Sequence, residues 1–593
     1  MGWSARASLL LLAAMVCAPF LEPRHYPLFR HFYGEWLAAA LGLAACVAMQ
    51  FGEAARAAAV PRVIVVPIGL VAVALLQLVA LHPTYPSQTL VFMLYLVWAG
   101  MLAVLGHALA GAIGLGRVAL AVAWGVLVGG LLGTLAGLMQ FADVRSLAGL
   151  VFTTDSVMGN LAQRNHFANQ LWLACAAAVY LFAERRLGWT TFVSVAVMLL
   201  SASILSASRS VSLHLMAVAV LSFVWHRRAP DGDTSRRLLS GALALLCLFA
   251  ALDMGMANLY RLFPGANIET SLARLVNSPS DPTRLRLWTA ALEIFSSAPL
   301  LGAGVGQFSW QTFLAGLGLG GVVAEHSHNV VMQLLAELGL FATLLVAGGL
   351  FAWLVRVLRT EPTAERWLAL ALLAVISIHS MLEYPLWYTF FLGPFALMLG
   401  AADPAGYTLQ SPRLMRASLA AMMLVGGLFL ANAMLDYASL REGVLPLIRP
   451  AAQGAPVESP ERLAELRRNV LFTAHIDLRL AAAMPVKGGP LKEQLALCND
   501  ALRFYPIWQV AYKCALLLAL DSQAQQAEAL WRQAVTVFPD VLPAIVADLR
   551  RMPEARDGAL AGLRSEGEKA LRDLRARNPA PGDRNDEAAD APR

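Results

Sequence analysis

Thirteen apolar runs, most of them close to the length that crosses a bilayer, occupy the first 439 residues of this 593-residue chain. A span needs about 20 mostly apolar residues to cross a hydrocarbon core of roughly 30 Å. Within that core every backbone N–H and C=O must bond inside the protein, so continuous apolar runs of this length are helices. They fall at about 7–21, 34–51, 62–81, 88–110, 117–141, 166–183, 189–206, 209–226, 238–256, 329–355, 366–382, 386–402 and 414–436. The first follows Arg6 and has Pro19 and Phe20 where a signal-peptide cleavage site would fall, so it reads as a retained span. The fold class expected is an all-α polytopic membrane protein of about 13 transmembrane helices.

Charge divides the chain in two. Residues 440–593 hold 41 charged residues, about 27 %, whereas residues 1–439 hold 43, about 10 %. A soluble enzyme carries roughly 25 %. The first part is therefore membrane and the second is of ordinary soluble composition. This excludes a purely cytosolic globular enzyme and a disordered protein. The net charge of +6 comes mostly from loop arginines beside a membrane, so no nucleic-acid partner is expected.

Orientation follows from those arginines. With the N-terminus inside and spans alternating, fifteen arginines fall in inner segments, from Arg6 to Arg416. Five (Arg24, Arg30, Arg145, Arg164, Arg209) fall in short outer loops. That asymmetry is the positive-inside bias. It places the long 257–328 loop and the tail on the outer face, the periplasm of a bacterial inner membrane.

The tail has helical periodicity, with Leu and Ala at i, i+3 and i+4. Ala-Leu-Arg-Phe-Tyr-Pro at 501–506 recurs as Ala-Val-Thr-Val-Phe-Pro at 534–539, an offset of 33 residues around two helix-length segments. This matches a tetratricopeptide-like hairpin. The expected organisation is a transmembrane part over 1–439, a helical tetratricopeptide-like domain over 440–577 and a disordered tail over 578–593. The six cysteines show no C-x-x-C spacing, which argues against a structural metal site; Cys498 and Cys514 share the tail and pair if their compartment is oxidising.

Where charge is this scarce, each retained polar residue near a span is a functional candidate. They gather at the outer helix ends: Gln163-Arg-Asn165-His166, Ser206–Ser210, Arg284 and Arg286, Glu325-His326-Ser327-His328-Asn329, and His379 with Glu383, Tyr384 and Tyr388. A transporter would instead place ionisable groups at mid-membrane. Polar residues on one face suit a reaction at the membrane surface on a lipid-borne substrate. Arginine presents a planar fork suited to phosphate oxygens, so Arg209 and Arg284 are candidate anion ligands, with a snorkelling or solvated arginine as the plainer reading. Arg284 starts an amphipathic loop helix with Asp281 as its cap. His328 suits proton transfer from an attacking hydroxyl, or else it orients the helix that follows. Glu337, about 13 Å further along that helix, reads as a buried hydrogen-bond partner. His379 and Glu383, four apart, read as an ion pair or hydrogen bond rather than half of a metal site. Gly302-Ala-Gly304-Val-Gly306 lacks the preceding strand of a dinucleotide loop and reads as a turn.

Taken together, Gln163-Arg-Asn165-His166-Phe-Ala, Ser208-Arg209, Arg284 four residues before Trp288, Leu300-Leu-Gly-Ala-Gly-Val-Gly-Gln-Phe308 and His326-Ser-His328-Asn329 resemble the O-antigen ligase superfamily. The resemblance covers roughly residues 150–400. His379-Ser-Met-Leu-Glu-Tyr-Pro-Leu-Trp-Tyr388 and the long tail are similar to the bacterial O-linked oligosaccharyltransferases that glycosylate pilins and other exported proteins. The resemblance implies a GT-C-like membrane fold and en bloc transfer of a glycan from undecaprenyl diphosphate to Ser/Thr hydroxyls. It implies inversion, no cofactor and no metal. Arg209 and Arg284 would hold the diphosphate and His328 would be the general base. Gln163, Asn165, Tyr388, Tyr384, His326 and Asn329 would orient substrate. The partners implied are the lipid-linked donor, a pilin or other periplasmic acceptor, and membrane lipids. A lipid A–core ligase or an O-antigen polymerase would share the chemistry with a different acceptor. A polysaccharide transporter is the third reading.

Overall fold

The computed structural model describes residues 2–577, apart from 27–28, 52–58, 148, 263–281, 320–321, 409–411, 449–466 and 468–470. Asp281, much of the 257–328 loop and the 578–593 tail therefore lie outside the described residues. The chain is an all-α polytopic membrane protein. Its first nine helices are α1 (Trp3–Met15), α2 (Phe32–Gln50), α3 (Val65–Leu81), α4 (Pro86–Ile113), α5 (Leu115–Phe141), α6 (Arg164–Ala183), α7 (Trp189–Leu205), α8 (Val211–Arg228) and α9 (Asp233–Leu262). Two shorter helices follow, α10 (Pro282–Ser297) and α11 (Phe308–Leu314). Then come α12 (Val330–Leu358), α13 (Ala364–Ser380), α14 (Thr389–Ala402) and α15 (Pro412–Ile448).

Every predicted run is helical, but among the described residues nine helices are long and apolar enough to span a membrane by length and composition. The other four positions are filled by α7, α8, α13 and α14, which are shorter or more polar. Helix α8 ends in His226, Arg227 and Arg228, and α13 begins with Glu365 and Arg366. At the centre stands α6, buried continuously from His166 to Ala183, with α5, α7, α9 and α13 packed around it. A strand pair, β1 (Ala59–Pro61) with β2 (Gly406–Thr408), ties α3 to the end of α14. Beside it the buried Asp403 carboxylate takes Arg356 at 3.1 Å and the Val63 N–H at 3.0 Å.

The 300–308 segment is seated in a break in α12. Gly339 interrupts that helix with φ +74 and ψ −171. The freed backbone groups find partners in the segment: Ala303 and Gly304 N–H donate to the Ala336 and Glu337 carbonyls at 2.9 and 3.0 Å, and Leu340 N–H donates to Pro299 O at 2.9 Å. Glu337 accepts the Phe308 N–H at 3.0 Å. The two glycines meet so closely that a Cβ on Gly302 would lie 2.3 Å from the Glu337 carbonyl carbon, and one on Gly339 2.4 Å from Leu300 O. The reading of Glu337 as a buried hydrogen-bond partner, and of the glycine run as a turn, agrees with this geometry.

The C-terminal helices are α16 (Thr473–Ala483), α17 (Leu491–Phe504), α18 (Trp508–Leu520), α19 (Ala524–Val537), α20 (Leu542–Arg551), α21 (Glu554–Asp557) and α22 (Ala561–Arg577). Helices α18 and α19 form an antiparallel hairpin at the position of the predicted repeat. A disulfide between Cys498 and Cys514 joins α17 to α18. These helices dock on the membrane part. Tyr85 donates to Asp477 at 3.1 Å, Tyr505 donates to Val323 O at 3.0 Å, and the Phe313 and Phe538 rings stack at 6.0 Å. The core of the tail is continuous with Tyr85, Phe313 and Val323.

Candidate functional site

Four helix ends meet on the tail side of the bundle: one supplies a carboxylate and the other three each bring one polar side chain to it. The α13 helix stops at Ser380, and the following turn swings Glu383 into a buried position. Its Oε2 lies 2.8 Å from His328 Nδ1. Its Oε1 accepts Asn165 Nδ2 at 2.7 Å and the Arg284 guanidinium at 3.3 Å. Asn165 in turn accepts Ser208 Oγ at 2.8 Å, and Ser208 contacts Ser210 Oγ at 3.0 Å. Glu383 is 6 % exposed, while the His328 and Arg284 side chains are 33 % and 25 % exposed. A buried acid thus faces a partly open histidine and arginine.

The local sequence sets these positions at a cost. Ala162, Ala207 and His328 adopt left-handed backbone with φ of 50°, 52° and 54°. Non-glycine residues there are strained by about 1–3 kcal/mol each, and such strain clusters at functional sites. All three lie at or within three residues of a cluster member: Asn165, Ser208 and His328 itself. Asn329 accepts the Val331 and Met332 N–H groups at 3.0 and 3.2 Å, so its side chain caps α12. Gln163 likewise caps α6, accepting the His166 N–H at 2.6 Å.

Tyr384 separates the two histidines of the His-Ser-His motif, with ring centroids 4.4 Å from His326 and 5.3 Å from His328. Tyr388 sits behind it, 5.8 Å from Tyr384 and 5.0 Å from His166. Burial raises the pKa of both phenols, so they remain protonated hydrogen-bond donors. Burial and the neighbouring His328 push His326 down to about 3, which keeps it neutral and a poor base. Arg209 lies in the α7–α8 turn beside Ser208, half-buried, with no ion pair or hydrogen bond among the described residues.

Of the nine residues singled out from sequence, His328, Arg284 and Asn165 converge directly on Glu383, and Tyr384 flanks them. Gln163 and Asn329 are helix caps at the edge of the cluster. The hub itself, Glu383, was read as a partner of His379. The geometry limits that pairing to the backbone: the Glu383 N–H donates to the His379 carbonyl at 2.8 Å, while the Glu383 carboxylate turns to His328 and the His379 ring has no partner among the described residues. The sequence signal that marks it is its rarity, an acid at an outer helix end in a membrane part with few acids.

His326 faces a different space. A cavity of about 1310 Å³ lies between α2, α3, α4, α12, α14 and α15, roofed by α16 and α17. It exceeds the roughly 300–1,000 Å³ of a drug-sized pocket. Its wall is mostly apolar along the helices, with Glu325, His326 and Trp387 near the cluster and His475 and Arg479 in the roof. Among the described residues no group of three His, Cys, Asp or Glu is arranged to hold a metal ion.

Residues 193–347 match the family model described as O-Antigen ligase. Residues 367–551 match the one described as Virulence factor membrane-bound polymerase, C-terminal. The chain is also similar to a General O-oligosaccharyltransferase of Acinetobacter baylyi, with 25 % identity over 247 residues. That match spans 41 % of this chain and 42 % of the relative, so the chain covers less than half of the relative's length. The first matched segment carries Arg209, Arg284 and His328 and the second carries Glu383. Over these two segments, and in its helical architecture, the chain is similar to the O-antigen ligases and membrane-bound polymerases.

Proposed function

We propose that this protein is an inner-membrane glycosyltransferase that moves a preassembled oligosaccharide from undecaprenyl diphosphate to Ser/Thr hydroxyls of exported proteins, on the periplasmic face. The observation that carries the reading is the contact of Glu383 with His328, Asn165 and Arg284. A carboxylate on His328 Nδ1 holds the imidazole as the tautomer that donates to Glu383, which leaves Nε2 with a free lone pair. That nitrogen takes the proton of the acceptor hydroxyl while its oxygen attacks the anomeric carbon. The bond from that carbon to the phosphate oxygen breaks, with inversion. Arg209 and Arg284 stabilise the charge that grows on the departing diphosphate. No metal step enters this scheme. The large apolar cavity beside His326 takes the polyprenyl chain.

The ligase and polymerase family models favour a second reading, the same chemistry on a lipid A–core or glycan acceptor. The oligosaccharyltransferase relative favours a protein acceptor. Expression with a lipid-linked glycan and a candidate pilin tests both. Glycosylated pilin is the expected product, lost in His328→Ala and Arg284→Ala. Glycan appearing on lipopolysaccharide alone would overturn the acceptor, and undiminished transfer in both variants would overturn the chemistry.

A further inference from the structure

Behind the Glu383 cluster, the centre of the bundle holds polar groups that the proposed reaction does not use. His166 and Asn169 lie one turn apart on α6, His379 on α13 and His214 on α8. All four are buried, at 1 %, 0 %, 0 % and 0 % exposure. Their rings follow one another inward: His166 to His379 at 5.3 Å and His379 to His214 at 6.3 Å, both edge-on. Both nitrogens of all three rings, and both side-chain polar atoms of Asn169, have no hydrogen-bond partner among the described residues.

Such a set is unusual for a membrane interior. Each neutral imidazole carries one N–H and one lone pair, and buried polar groups are paired in the great majority of cases. No ring nitrogen of the three bonds another ring. Buried water typically makes about three hydrogen bonds to groups of this kind.

We propose that His166, Asn169, His214 and His379 form an internal binding site for ordered water, which joins the centre of α6, α8 and α13. Two chain links connect that site to the Glu383 cluster. His166 follows Asn165, and the His379 carbonyl accepts the Glu383 N–H at 2.8 Å. The water therefore positions both the Asn165 and Glu383 side chains by holding the helix ends that carry them. The site does not depend on the identity of the reaction.

Radical footprinting of the full-length protein in lipid nanodiscs tests this, because radiolysis labels residues beside bound water even where bulk solvent is excluded. The expected result is oxidation of His166 and His379 at rates comparable with exposed histidines. His214→Leu should lower labelling of His379 several-fold, and His214→Gln should restore it. Absence of labelling in the wild type would overturn the site, as would a metal ion bound in stoichiometric amount and lost with the labelling on chelation. Glycan transfer, measured in parallel, should fall roughly 10- to 100-fold in His214→Leu, the scale of a small misplacement of reacting groups, and recover in His214→Gln. Labelling without transfer in the wild type would sustain the water site while sinking the transferase reading.

Discussion

His328 Nδ1 and Glu383 Oε2 lie 2.8 Å apart although 55 residues separate them, and both belong to turns rather than helices. This contact assigns opposite tasks to the two histidines of one short motif. His328 is oriented by an acid, whereas His326 packs half-buried against Tyr384 and faces the cavity.

The first prediction concerns that contact. Glu383→Gln keeps the volume but removes the charge, so His328 loses its fixed tautomer. Transfer should drop roughly 10²- to 10⁴-fold, the range of general acid–base contributions. The His328→Ala, Glu383→Gln double variant should fall little further, because the two act as one unit. A rate assay with lipid-linked donor reads both, and additive losses would separate the residues.

The second concerns acid. Burial, with Arg479 nearby, pushes His475 in α16 down from 6.5 to about 3. Between those pH values the unfolded chain binds a proton that the folded chain does not. Stability is therefore complete above pH 6.5 and declines as pH falls, by on the order of 1–2 kcal/mol at pH 5. Thermal unfolding monitored at the tail should show this slope, and His475→Phe should flatten it. His475 packs on Phe29 at 4.4 Å and Phe504 at 4.6 Å, so an aromatic replacement keeps the contacts.

How much of this was legible beforehand depended on whether a feature is local in sequence. Apolar runs gave the helices because each is a continuous property of about 20 residues. Arg284, His328 and Asn165 stood out because polar residues are rare at helix ends. Glu383 was visible as a residue but not in its role, because its partner depends on where α13 stops. Nor could spacing reveal that Gln163 and Asn329 spend their side chains on backbone N–H groups, since a cap and a substrate ligand look alike in a string. The histidine series within the bundle spans three helices and has no sequence period at all.

The third prediction is that Cys498 and Cys514 are oxidised in the cell. The link closes a loop of 16 residues between α17 and α18. A loop of that size contributes about 3 kcal/mol in the chain-entropy account. Cys498→Ser should lower the unfolding temperature of the tail. Thiol alkylation before and after reduction should reveal the pair. Alkylation of Cys498 or Cys514 without reduction in freshly isolated membranes would contradict a periplasmic tail.

The fourth prediction concerns the broken helix. Gly339→Ala introduces a Cβ 2.4 Å from Leu300 O at a left-handed backbone position, so either the break closes or the 300–308 segment leaves. The expected cost is about 2 kcal/mol or more, read as a lower unfolding temperature. Faster proteolysis between α10 and α11 should accompany it. Gly348→Ala in the same helix has open space around it and serves as the control.

The docking of the C-terminal helices on Phe313, Val323 and Tyr85 makes the 308–323 segment a hinge of inheritance as well as of structure. A tail transplanted from a relative would meet foreign side chains at Phe538, Tyr505 and Asp477, leaving Tyr85 and Phe313 without their partners. Functional exchange of tails between such proteins therefore requires carrying the 308–323 segment and the α3–α4 turn with them. The breakpoints of a working chimera lie around the 308–323 segment and the α3–α4 turn, not at the change in composition near residue 440.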